Sequence, residues 1–323
     1  MQVVVLAGGV GSRLRPWTNE TPKPLLPMLD LTLLERVVEG IPSNLVDEVV
    51  VAGGYKIDQI KDYFKQADVD FDVRIVPETE PLGTGGALGN CRDVISGRFA
   101  CFNGDIVSSL DIEPMLAQHQ KLGVTGSLAL WEVEDPTRFG IVGLDQDNRI
   151  TQFKEKPRPE EVFSNLINAG SYILEDEIFD MMPKTKHSLE REIFPVLAEE
   201  GRLSGLPFEG YFIDAGTPSS WSEGVRTCIA EGRFSAGSKN GSSWFQNQVH
   251  QATDSMIQSD CIIEGEVSNS TILQGARIGT NAKVIDCLVG RGAQIGANSL
   301  LNAVIIGHGA IIPAGHIQTG GTF

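Results

Sequence analysis

The first two hundred residues or so alternate between two hydrophobic periods. Val3 to Leu6 is an unbroken apolar run, as a strand buried on both faces should be, whereas Leu34, Val37, Val38 and Ile41 recur at helical spacing. Val49 to Ala52 predicts the next strand, and Ile57, Ile60 and Phe64 mark an amphipathic helix. Val73 to Val76, a helix from about Gly85, and Phe99 to Phe102 continue the series. Strand and helix in alternation predict an α/β fold with a mixed, mostly parallel sheet and helices on both faces. Closer strands between Gly126 and Leu174 predict mixed or antiparallel additions to that sheet. Ligands of such sheets sit at the carboxyl ends of the strands. Chemistry is therefore expected in the loops after Leu6, Val76 and Asn103.

The pattern changes near residue 232. Residues 232–255 are rich in Gly, Ser, Asn and Gln and read as a linker. Beyond it Cys261, Val267, Ile272, Ile278, Val284, Val289, Ile295, Leu301, Ile306 and Ile312 follow one another at steps of five or six residues, so that each position recurs seventeen further on. Gly279, Gly290, Gly296 and Gly307 each directly follow one of them. A three-sided coil of short parallel strands needs one inward aliphatic per face and a tight turn at each corner. The rhythm resembles the hexapeptide-repeat left-handed β-helix, here short, about three coils. The expected organisation is an α/β domain over 1–231, the linker, and the β-helix over 256–323.

At 323 residues, the chain is longer than one ordinary domain needs. No run of eighteen apolar residues occurs, and Met1 leads directly into a strand, so neither a membrane span nor a cleavable leader is expected. The formal charge of −16 repels nucleic-acid backbone and disfavours DNA or RNA as a partner. Five cysteines without a CxxC pair predict reduced thiols in a cytoplasm rather than disulfides or a zinc site.

The strongest chemical signal is Leu6-Ala7-Gly8-Gly9-Val10-Gly11-Ser12-Arg13, with Lys23 between Pro22 and Pro24. Glycines after a buried strand let the backbone turn sharply and offer bare N–H groups to an anion. A dinucleotide fingerprint fails because Leu14 stands where its third glycine belongs, and no GK followed by Ser or Thr makes a Walker loop. Arg13 and Lys23 in a proline-stiffened loop instead suit a polyphosphate.

A second glycine-rich turn, Glu78 to Leu88, contains Glu80, Gly83, Thr84 and Gly85. Glu78 or Glu80 could accept the paired N1–H and N2–H donors of guanine, although either could equally be a solvated turn residue. Asn103-Gly104-Asp105 closes a strand with a carboxylate, as does Asp214 in Phe212 to Gly216. Two strand-end carboxylates suit Mg²⁺, a hard ion that takes oxygen ligands. Each aspartate alone could be a helix N-cap. Gly140, Glu155, Lys156, Asn168 and Glu190 complete a set suited to sugar hydroxyls and a sugar phosphate.

These blocks in this order resemble the nucleotide-sugar pyrophosphorylases, the sugar-1-phosphate nucleotidyltransferases, over nearly the whole chain. Residues 80–88, 153–157, 164–174, 188–201 and 210–218 are most similar to the mannose-1-phosphate guanylyltransferase branch. The resemblance implies a Rossmann-like nucleotidyltransferase domain and transfer of a nucleotidyl group from an NTP, GTP first, to a hexose 1-phosphate. It implies that Arg13, Lys23 and Asp105 are catalytic, and that Asp105 and Asp214 bind Mg²⁺. Leu6, Ala7, Gly8, Gly9, Gly11, Ser12, Glu78, Glu80, Gly83, Thr84, Gly85, Asn103 and Gly104 would line the nucleotide. Gly140, Glu155, Lys156, Asn168 and Glu190 would take the sugar phosphate. Alternatives within the class are glucose-1-phosphate thymidylyl- or uridylyltransferases and heptose-1-phosphate guanylyltransferases. Outside it stand a hexapeptide acyltransferase, using His308 or His316, and a non-catalytic regulatory subunit. Exposed strand edges at the ends of a solenoid predict a homo-oligomer.

Overall fold

The computed structural model describes residues 1–323. The chain divides into two compact units, one comprising Met1–Gly9 with Val37–Phe212, the other Val10–Arg36 with Ile213–Phe323.

The first unit is built on the predicted sheet. Gln2–Leu6 lies at its centre, parallel to Phe99–Asn103 on one side and to Glu48–Gly53 on the other, with Asp72–Pro77 outside the latter. Val3, Val4 and Val5 are fully buried, which is why this run shows no alternation. Beyond Phe99–Asn103 the additions are antiparallel, as the closer spacing predicts: Leu166–Leu174 pairs with it and with Gly126–Glu132, and Ile150–Glu155 pairs with Gly140–Leu144. Helices Ile57–Phe64 and Gly83–Gly89 fall at the expected places. Register sets Leu6 beside both Ala52 and Asn103, so three strand ends lie side by side.

The second unit contains three sheets of parallel strands, of six, five and four strands, with one antiparallel hairpin at the edge of the largest. This is the arrangement expected of a hexapeptide β-helix. Every aliphatic of the predicted rhythm, from Cys261 to Ile312, is buried. The seventeen-residue register holds from Val267 to Val284 to Leu301 and from Ile278 to Ile295 to Ile312. It does not hold one coil earlier. Ile263, not Cys261, stands beside Ile278, and Ile257 beside Ile272, a step of fifteen. The cause is one short corner: residues 264–265 turn between strands where later coils use four residues, 279–282. The face with the fewest strands already has four, more than the expected three coils. Ser243–Phe245, within the segment that reads as a linker, pairs in parallel with Met256–Ile257.

Residues 10–36 belong with this second unit because long-range bonds fasten them to it. Trp17, fully buried, donates its indole N–H to the Ile306 carbonyl at 2.9 Å and stacks on His308. Arg291 donates to the Thr21 hydroxyl at 2.8 Å, and the Leu29 amide meets the Met256 sulfur at 3.3 Å. Asp30 accepts the amides of Ser235 and Ala236 and pairs with Arg36. All five cysteines are buried and free. No helix is long and apolar enough to cross a membrane.

Candidate active site

In the first unit, the strand ends are laced together by backbone. Ala7 N–H donates to Ala52 O, Gly104 N–H to Leu6 O, and Glu78 N–H to Gly53 O, at 2.7–2.9 Å. The Glu78 carboxylate then lies over Gly8, where a Cβ would come within 2.5 Å of its Oε2. A Cβ there would force the carboxylate to move. Glu78 also accepts the Leu82 amide at 3.3 Å, yet burial dominates and holds its carboxyl above the usual glutamate range. Glu80 is exposed. Asn103 is half-buried, its amide packed against Gly170, and Asp105 is half-buried two residues on.

The residues expected at the sugar phosphate come together. Glu155 stands opposite Gly140 in register, and a Cβ at Gly140 would lie 2.9 Å from its Oε2. Lys156 reaches Glu155 at 3.4 Å. Asn168 donates to the Tyr172 hydroxyl at 3.0 Å and accepts the Gly170 amide at 3.0 Å, across a register shift in its strand. Burial raises the Glu155 pKa first and the Glu190 charge second; the same two carboxylates add to the burial that raises Tyr172. Glu155, Asn168 and Glu190 thus share one polar cluster. Two carboxylates and an amide can accept from and donate to several hydroxyls.

The glycine turn joins this cluster. Thr84, expected at the nucleotide, donates its hydroxyl to Glu190 Oε2 at 2.6 Å. Ser188 donates to the same oxygen at 2.6 Å. His187, which sequence reasoning missed as part of the site, holds the two segments together: its carbonyl accepts the amides of Gly85 and Gly86, and its amide donates to Leu82 O at 3.0 Å. Its one local signal is its place directly before Ser188.

In the second unit, Gly11 adopts a left-handed φ of 64° ahead of the short turn Ser12–Leu14. Thr18 donates to its carbonyl at 2.9 Å. The Lys23 chain packs on the other side, its Cβ 3.1 Å from where a Gly11 Cβ would stand, and Lys23 is buried. Arg13 is exposed along its length. Its Nη2 and the Asp214 Oδ1 both lie 2.7 Å from the Cβ position of Gly216, so cation and carboxylate face one another over a glycine. Helix Pro218–Ala230, capped by Thr217, fixes the chain after them. His308 and His316 are held rather than presented: His308 Nδ1 accepts the Arg291 amide at 2.9 Å, and His316 Nε2 shares a hydrogen bond with Gln318 at 3.1 Å. Neither arrangement favours an acyl-transfer base.

The nucleotidyl transferase family model matches residues 2–230, and a GlmU-like C-terminal hexapeptide model matches residues 242–320. Mannose-1-phosphate guanylyltransferase 1 of Arabidopsis thaliana is 30% identical over 312 residues, 90% of this chain and 86% of that protein. The mannose-1-phosphate guanylyltransferase catalytic subunit beta of Danio rerio is 31% identical over 312 residues with the same coverage. The crystal structure of HddC from Yersinia pseudotuberculosis superposes with a TM-score of 0.59 at 31% identity, covering 69% of this chain and 97% of that one.

Proposed function

Because the chain belongs to the nucleotidyl transferase family, we propose that it transfers a guanylyl group from GTP to mannose 1-phosphate, giving GDP-mannose and pyrophosphate. The observation that carries this reading is the 2.6 Å bond from Thr84 to Glu190. It sets the glycine turn for the base against the carboxylate cluster for the hexose, the adjacency that joining a nucleotide to a sugar phosphate demands. The names of the guanylyltransferase relatives support guanine and mannose in particular.

The sugar phosphate oxygen attacks the α-phosphorus in line; a new P–O bond forms, the α–β bridging bond breaks, and pyrophosphate carries away the electron pair. A sugar phosphate is already ionised near neutral pH, so no strong general base is required. The barrier lies in bringing two polyanions together and in charge building on phosphate oxygens. Arg13 and Lys23 would meet that charge, as would the bare amides of Gly8, Gly9 and Gly11. Lys156 would hold the sugar phosphate, and Glu155, Asn168 and Glu190 the hexose hydroxyls. Asp105 and Asp214 would each offer a carboxylate oxygen to Mg²⁺, a hard ion that takes one or two carboxylates and completes its shell with phosphate and water. When bound, it would offset charge on the phosphate oxygens.

The test is pyrophosphate release from GTP, dTTP, UTP, ATP and CTP, each against mannose, glucose and heptose 1-phosphates. GTP with mannose 1-phosphate is expected among the best pairs, and Glu80→Gln is expected to lose GTP use. A best pair of dTTP or UTP with glucose 1-phosphate would replace the guanylyl reading while leaving the class intact. Ile311 and Ile317, each about seven-tenths exposed on the last coil, favour self-association into a homo-oligomer. Light scattering at micromolar concentration is expected to exceed the 34.9 kDa of one chain; that mass alone would refute it.

A further inference from the structure

We infer that Thr84 and Ser188 are positioning residues that aim the Glu190 carboxylate at the sugar, so that hexose selection depends on a hydroxyl supplied by the nucleotide turn. This rests on the assignment of Glu155, Asn168 and Glu190 to the hexose. Both hydroxyls donate to one oxygen, Oε2 of Glu190, at 2.6 Å. Neither hydroxyl is free to rotate away. Thr84 Oγ1 accepts the Leu189 amide at 3.1 Å, and Ser188 Oγ accepts the Arg191 amide at 3.3 Å, so each oxygen has its lone pair engaged and its proton directed. With Oε2 met twice by the protein, Oε1 is the atom left to accept from a substrate hydroxyl.

The aiming is needed because Glu190 has a like-charged neighbour. Glu155 is close enough for the Glu190 charge to raise its pKa, after burial. A glutamate held only at its backbone would swing away from that charge. The platform beneath is rigid. Gly85 and Gly86 amides donate to His187 O at 3.1 and 3.3 Å, and any Cβ at Gly85 would run into the His187 imidazole. That ring is fixed in turn by its Nδ1, 2.7 Å from Thr185 O. His187 is buried. A displacement of the turn by base binding therefore moves Thr84, and Thr84 moves the carboxylate.

The experiment measures kcat and KM for both substrates, and the preference for mannose over glucose 1-phosphate, in Thr84→Val, Thr84→Ser, Ser188→Ala and Glu190→Gln. Valine keeps the shape of threonine but neither donates nor accepts. We expect Thr84→Val to raise the KM for mannose 1-phosphate about tenfold, equivalent to roughly 1.4 kcal/mol. The mannose preference should narrow, and Thr84→Ser should restore both. A Thr84→Val enzyme with a raised KM for GTP and an unchanged sugar KM and preference would overturn the inference. Glu190→Gln separates it from the assignment on which it rests. A sugar defect in Glu190→Gln with none in Thr84→Val removes only the aiming role; no sugar defect in Glu190→Gln removes the hexose assignment itself. Should Thr84→Val fail to fold, Ser188→Ala tests the same oxygen through its other donor, with the same outcomes deciding.

Discussion

The hexose-side cluster and the cationic loop are secured by opposite means. Glu155 is positioned by its register opposite Gly140, and Asn168 by a bulged strand in the same sheet. Their supports are ordinary ladder bonds. The segment 10–36 has only the two-residue strands Pro27–Met28 and Leu31–Thr32 paired with each other. Trp17 bonds to Ile306, 289 residues away, Thr21 to Arg291, and Leu29 to Met256. One set of candidate residues is thus held by the α/β core, and the other by a segment fastened to the solenoid. The difference teaches that the solenoid is more than an appendage: it anchors the segment that carries Arg13 and Lys23 through Trp17, Thr21 and Leu29.

The comparison breaks most visibly at Trp17. Trp17→Ala removes a buried indole, leaves the Ile306 carbonyl unpaired, and is expected to cost about 3–5 kcal/mol of stability in a thermal or denaturant melt. Trp17→Phe keeps a ring against His308 and loses the hydrogen bond, roughly 1 kcal/mol. If the anchor serves the cationic loop, Trp17→Phe weakens GTP more than sugar phosphate. Equal changes in both KM values would erase the distinction between the two regions.

A smaller effect sharpens it. Burial and then the Glu190 charge hold the Glu155 carboxyl above its ordinary range, against the opposing pull of Lys156 and Arg191. A raised pKa means Glu155 takes up its proton at a higher pH than an exposed glutamate. The KM for sugar phosphate should therefore rise on acidification earlier than an ordinary carboxylate would dictate. Glu190→Gln removes one raising charge and should move that limb to lower pH by less than about one unit. Titration of the sugar phosphate is common to both enzymes and cancels in the difference. A limb that stays in place assigns it to another group.

The parallel core was legible because buried strands write themselves as unbroken aliphatic runs, as at Val3–Val5. The solenoid was legible wherever its corners repeat. It was misread at Cys261, because the two-residue corner before Glu266 breaks the rhythm and periodicity carries no information about a single shorter turn. Candidate residues with a local motif, such as Arg13 and Glu155, could be proposed from the chain. Thr84 could be named too, but not its partner Glu190, 106 residues on. Trp17 gave no signal at all; a tryptophan in a loop looks the same whether it faces solvent or a strand near the far end of the protein.

That distant strand has a consequence for how the molecule is made. On a ribosome adding ~5–20 residues per second, Ile306 emerges roughly 15–60 s after Trp17, to which it will bond across 289 residues. Throughout that interval the indole has no carbonyl to meet and remains a surface for chaperones to cover. The segment bearing Arg13 and Lys23, translated almost first, is therefore among the last to mature.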